Sequence, residues 1–107
     1  MKSVWKFWCN TKRDVGATKL LHRVQSRLQV EISDESIEPY HKGGHVVCFT
    51  VNHAITDWKE FIFDVIQLGQ RVGYGWTLSG DVQAQLDGWS NRVAVSGIQS
   101  MQWMCNK

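Results

Sequence analysis

His41, His45, Cys48 and His53 fall close together in the chain, and imidazole and thiolate are the usual ligands of zinc. Their spacing argues against a metal site. Gly43-Gly44 breaks any helical pairing of His41 with His45, and on an extended strand His45 and Cys48 point to opposite faces. His53 shares a face with His45 but lies about 26 Å further along it. These residues therefore read as ordinary surface or turn histidines, with no metal and no other cofactor. Catalytic chemistry has no better footing. There is no nucleophile elbow, glycine-rich phosphate loop, HExxH pair or CxxC motif. Scattered histidines and carboxylates could meet in space, as they could in any chain of this length, so the expectation is a protein that is not an enzyme.

Binding chemistry is better represented. Lys19, Arg23 and Arg27 recur every four residues and stand in one row if that segment is helical. Like charges at this spacing cost a helix about 0.2–0.5 kcal/mol per pair, a cost that contact with phosphates would explain. Lys42 to Phe49 loosely resembles the RNP1 segment of an RNA-recognition motif, but valine and cysteine stand where base-stacking aromatics belong. Six tryptophans exceed what a core this small requires. Trp5, Trp58, Trp76 and Trp103 fall on apolar faces. Trp8 falls on the less apolar set of its strand, and Trp89 sits in a Gly-Trp-Ser-Asn segment that reads as a turn; tryptophan is enriched at interface hot spots. Asp34, Glu35 and Glu38 form an acidic, exposed strand or loop, and Asp87 flanks Trp89.

These residues need elements to hold them. Val4–Cys9 alternates as a strand, and Ala17, Leu20, Leu21, Val24 and Leu28 trace one face of a helix over 15–28, with Asp14 as its N-cap. Val30 and Ile32 open a second strand running to Pro39; Gly43-Gly44 turns the chain into a third, His45–Val51. Asp57 and Glu60 start a second helix in the manner of a capping box. It runs over 57–72 along Trp58, Phe61, Ile62, Val65, Leu68 and Val72, with Gly73 at a left-handed C-cap. Trp76 to Asp87 alternates throughout and reads as a strand bent near Gly80. Gly88–Arg92 reads as a turn and Val93–Cys105 as a last strand.

The order β-α-β-β-α-β-β predicts an α+β two-layer sandwich with a mostly antiparallel sheet and two helices on one face, a ferredoxin-like core plus one C-terminal strand. The other sheet face would carry Val4, Lys6, Trp8, Thr77, Asp81, Gln83, Gln85, Ser96 and Ile98, open to a partner. An uncovered strand edge or sheet face would also support a dimer, although the sequence does not give the oligomeric state.

At 107 residues, 43% apolar and 21% charged, the chain fits one globular domain, 1–107. One proline and nine scattered glycines exclude a collagen-like or linker tract, and no apolar run approaches the ~20 residues of a membrane span. Lys6 and Lys12-Arg13-Asp14 interrupt any secretory h-region, and three widely spaced cysteines suit reduced thiols, so the expected location is cytoplasmic. The net charge of +2 hides polarity: residues 1–27 hold seven bases against one acid, and residues 28–64 hold seven acids against two bases.

Gly75-Trp76-x-Leu78-x-Gly80, Leu86-x-Gly88-Trp89-Ser90-Asn91 and Gly97-Ile98-x-x-Met101-x-Trp103 together resemble the C-terminal half of small bacterial immunity proteins. These are the proteins encoded beside contact-dependent growth inhibition and other polymorphic toxins. The resemblance implies a cytoplasmic protein that binds one cognate toxin, often a nuclease, and blocks it; it assigns no contact residue by position. The partner surface expected from the residues themselves is Asp34, Glu35 and Glu38 for electrostatic steering, with Trp89, Trp8 and Asp87 around the anchor. The alternative is a nucleic-acid-binding protein using Lys19, Arg23 and Arg27.

Overall fold

The computed structural model describes residues Met1–Lys107. β1 (Lys2–Cys9), α1 (Asp14–Leu28), β2 (Ser33–Pro39), β3 (His45–Asn52) and α2 (Trp58–Val72) follow in order. The short β4 (Gly73–Tyr74) leads to the hairpin β5 (Thr77–Asp81) and β6 (Gln85–Ser90), then to β7 (Arg92–Val93) and β8 (Ile98–Asn106). Six strands form one antiparallel sheet in the order β2-β3-β1-β8-β6-β5, and β4 pairs with β7 in a separate ribbon. This is the expected α+β sandwich.

The ferredoxin-like part is β8-β1-β3-β2 with α1 and α2. The added strand is not C-terminal, as the sequence suggests. β8 is the fourth core strand, and the β5–β6 hairpin inserted before it extends the sheet beyond it. Trp76–Asp87 is therefore not one bent strand but two arms joined through Val82–Ala84, where Ala84 N–H and Gln83 N–H donate to the Asp81 carbonyl and carboxylate. Asp81 pairs with Gln85, an even number of positions apart, so the alternation passes through the turn in phase. Gly88–Arg92 is not a turn either. Gly88 and Trp89 lie inside β6, and glycine stands at 88 because the Trp103 ring lies over it, within 2.3 Å of where a Cβ would sit. Residues 92–93 belong to the ribbon, so the last strand of the main sheet starts at Ile98.

The core joins both layers. Trp5, Phe7 and Cys9 of β1, Val47, Phe49 and Val51 of β3, and Met101, Trp103 and Cys105 of β8 meet the predicted apolar stripes of the helices. At ~25 cal/mol per Å², side chains this large supply most of the drive to fold. α2 is capped as expected, the Asp57 carboxylate accepting Glu60 N–H at 3.1 Å. Other caps differ. Arg13, not Asp14, is the N-cap of α1 and makes no side-chain cap bond, and Gly73 is extended because it enters β4 directly. β2 starts at Ser33, and Val30 and Ile32 before it pack partly buried against the core. Ile98 is buried rather than on the open face, because a register shift beside Trp8 and Cys9 turns it inward opposite Cys9. No helix is long and apolar enough to cross a membrane.

Candidate functional site

Both helices lie on one side of the sheet, leaving the other side without a second layer. The strand period assigns the residues there: Val4, Lys6 and Trp8 from β1, Val46 and Cys48 from β3, Gln102 and Met104 from β8, Asp87 and Trp89 from β6, and Glu38 from β2. Trp8 stands opposite Val46, which stands opposite Glu38; Lys6 stands opposite Gln102, which stands opposite Trp89. Trp8 and Trp89 are thus diagonal neighbours across β8, and their rings meet at 5.3 Å with a tilt of 51°. Trp89 remains 43% exposed. An aromatic pair on a firm strand scaffold presents a large apolar area with little side-chain entropy left to lose on binding. Asp87 is held beside it by Gln85 Nε2–H at 2.6 Å.

Four of the expected partner-binding residues, Trp8, Trp89, Asp87 and Glu38, therefore share this face. Trp89 gets there from within a paired strand rather than from a turn. Asp34 and Glu35 sit at the far edge, exposed in the irregular stretch between Ser33 and Ser36, where Asp34 adopts a φ of 52°. Lys19, Arg23 and Arg27 are exposed on α1, in the helical layer on the opposite side. Part of that row is already engaged. Arg27 Nε–H donates to the Arg71 carbonyl at 2.9 Å and Arg71 donates to the Leu28 carbonyl, so the two arginines tie the helix C-termini together.

Two of the histidines differ from their sequence reading: His41 is an exposed turn residue as expected, but His45 and His53 are buried and fully engaged. His45 contacts Thr11 through Nδ1 and the Asp14 carboxylate through Nε2 at 3.0 Å. His53 stands between Ser3 and Asp64, a constellation the sequence does not reveal. Its Nδ1 lies 2.6 Å from Asp64 Oδ2 and its Nε2 lies 2.7 Å from Ser3 Oγ. A carboxylate only accepts, so Nδ1–H donates to Asp64, and in the neutral imidazole Nε2 then accepts from the Ser3 hydroxyl. The spacing is that of a nucleophile, base and orienting acid. Ser3, however, is 0% exposed and its oxygen accepts the Trp5 indole N–H at 2.9 Å. Neither Ser3 nor His53 lines any surface groove. The chain Trp5–Ser3–His53–Asp64 satisfies the buried polar groups of its own members and ties β1 and the end of β3 to α2. No sequence signal marks it, because its members come from elements far apart in the chain.

No three His, Cys, Asp or Glu side chains converge as a metal site would require. The largest concavity, an open groove of about 800 Å³, lies between the start of α2 and the β5–β6 turn, lined in part by Asp57, Lys59, Ile62, Asp81 and Val82. Its charges are mixed and Trp58 Nε1–H donates to the Val82 carbonyl across it. No protein-family model, curated protein or solved structure matches the chain.

Proposed function

We propose that this chain is a non-enzymatic protein-binding module whose open sheet face docks a partner protein, with Trp89 and Trp8 as the anchor. The observation that carries this reading is the Trp8–Trp89 pair on a face with no covering layer. Aromatic residues are enriched at the energetic centres of interfaces, and carboxylates at the rim steer the approach of a basic partner. Glu38 and Asp87 stand on either side of the pair, and Asp34 and Glu35 extend the acidic rim to the β2 edge. The finer form of the proposal is a cytoplasmic immunity protein that binds and neutralises a cognate bacterial toxin, a nuclease by preference. Its support is the resemblance of the segment from Gly75 to Trp103 together with an acidic rim suited to a substrate groove built for phosphates.

The second reading, nucleic-acid binding, draws on Lys19 and Arg23, which no carboxylate pairs within salt-bridge distance. It uses the opposite side of the molecule, so one experiment separates the two. The protein is mixed with the protein encoded next to it, which this reading expects to be the toxin, and separately with tRNA and single-stranded DNA at physiological salt. Specific binding of the toxin domain and none of the nucleic acids supports the first reading. Salt-dependent nucleic-acid binding, weakened in the triple variant Lys19→Gln, Arg23→Gln, Arg27→Gln, overturns it.

A further inference from the structure

The two outer strands of the sheet are built differently. β2 ends at Pro39, breaks its register between Ser33 and Ser36, and bears Asp34, Glu35 and Glu38. A bulge, a proline and a run of charge are the usual means of keeping an edge from pairing with another chain. β5 has no register break, no proline and no run of charge, and its one backbone irregularity is Gly80, next to the turn, with a φ of 108°. It pairs with β6 in continuous register from Thr77↔Trp89 to Asp81↔Gln85, contains no lysine, and is exposed at every residue. Every second residue of such a strand turns its N–H and C=O away from the sheet, where water satisfies them in the free chain and another extended backbone can take its place.

We infer that the missing neighbour is a second copy of this chain, with β5 pairing antiparallel to β5 about a two-fold axis through Ser79. In this register Ser79 faces the partner's Ser79, Leu78 faces the partner's Gly80, and Thr77 faces the partner's Asp81. Two features favour it. Leu78 is 45% exposed on the face that the helical layer leaves uncovered at this edge. Opposite the partner's Gly80, which has no side chain, it has room to lie flat and meets the partner's Leu78 diagonally. The only charge on β5 is Asp81, and the two-fold sets each Asp81 against a threonine rather than against the other carboxylate. Pairing of this kind is isologous, closes at two subunits and joins two six-stranded sheets into one. It does not depend on what the open face binds.

Sedimentation velocity over a wide concentration range tests it, with three variants whose folding is checked by circular dichroism. The parent is expected to dimerise reversibly and Leu78→Asp to be monomeric. Thr77→Lys places a lysine against the partner's Asp81 twice by symmetry and should tighten the dimer, about fivefold in dissociation constant. Thr77→Asp should weaken it by a similar factor, and salt should shrink both effects. Residue 77 faces Trp89 within its own chain, so these two variants stay informative even if Leu78→Asp disturbs folding. A monomer at every concentration up to about 1 mM overturns the inference, since self-association weaker than that is negligible. So does a dimer that Leu78→Asp leaves intact, or one that Thr77→Lys and Thr77→Asp shift in the same direction.

Discussion

The sheet carries tryptophans on both of its faces, and the two sets are used in opposite ways. On the helical side Trp76 packs edge-on to Trp5 at 6.4 Å and tilted to Trp103 at 6.3 Å, and Trp5 stacks on Phe49 at 6.0 Å. On the bare side Trp8 and Trp89 touch only across the pleat. Trp5 and Trp103 are fully buried and Trp76 closes over them partly exposed, and two glycines make room for the set: Gly88 beneath the Trp103 ring, Gly69 beside the indoles of Trp76 and Trp103. The outer pair has no such enclosure. One residue type thus does two jobs, and burial rather than aromatic contact tells them apart.

The largest expected effect falls on the inner set. Trp103→Ala removes a buried indole and should cost about 3–5 kcal/mol of unfolding free energy by chemical denaturation. Gly88→Ala should cost about 2–3 kcal/mol by forcing a methyl into that ring. If either variant is as stable as the parent, the inner set is not the packed centre described above. Trp89→Ala should do the reverse: unfolding free energy should change by less than about 1 kcal/mol, while the proposed partner's dissociation constant should rise at least about thirtyfold. Loss of stability without loss of binding would make Trp89 a structural residue and erase the contrast.

A third change probes what secures the inner face to α2. Ser3→Ala strips His53 Nε2 and the Trp5 indole N–H of their shared partner and should cost about 1–2 kcal/mol. Binding by the outer pair should be unaffected, which titration of the variant against the partner would check. The smallest effect is a pH dependence. Burial pushes the Cys105 thiol from 9.0 up to about 11; the Leu86 backbone offsets part of this and the Asp87 carboxylate adds to it. The unfolded chain then loses this proton first, so stability should fall as pH rises from about 9 to about 11 and level off above. Urea midpoints of the parent and of Cys105→Ala across that range isolate the contribution.

Elements set by local pattern were legible in the sequence. The stripe from Trp58 to Val72 and the Asp57–Glu60 cap mark α2 without ambiguity, because both depend on residues three or four apart. The hairpin was not legible: an even spacing between Asp81 and Gln85 leaves the alternation intact, and period 2 cannot distinguish one long strand from two in phase. Gly88-Trp89-Ser90-Asn91 has the composition of a turn, yet its glycine answers to a ring fifteen residues downstream. Trp8 could be assigned to the open face from its own strand alone. Its partnership with Trp89 could not, since it requires knowing that β8 lies between them. The Ser3–His53–Asp64 chain was invisible for the same reason.

The strand order has a consequence for how the molecule is made. β1 and β8, the first and last strands, are paired neighbours in the middle of the sheet, Ser3 opposite Cys105. During synthesis β1 leaves the ribosome before the other strands and β3 can cover one of its edges, but the other stays bare until the segment Ile98–Asn106 emerges. The β5–β6 hairpin meanwhile has nothing to join. Closure thus requires contacts between the most distant parts of the sequence, which slows folding, and a nascent chain stalled before Ile98 would expose half of a sticky apolar sheet to chaperones and proteases.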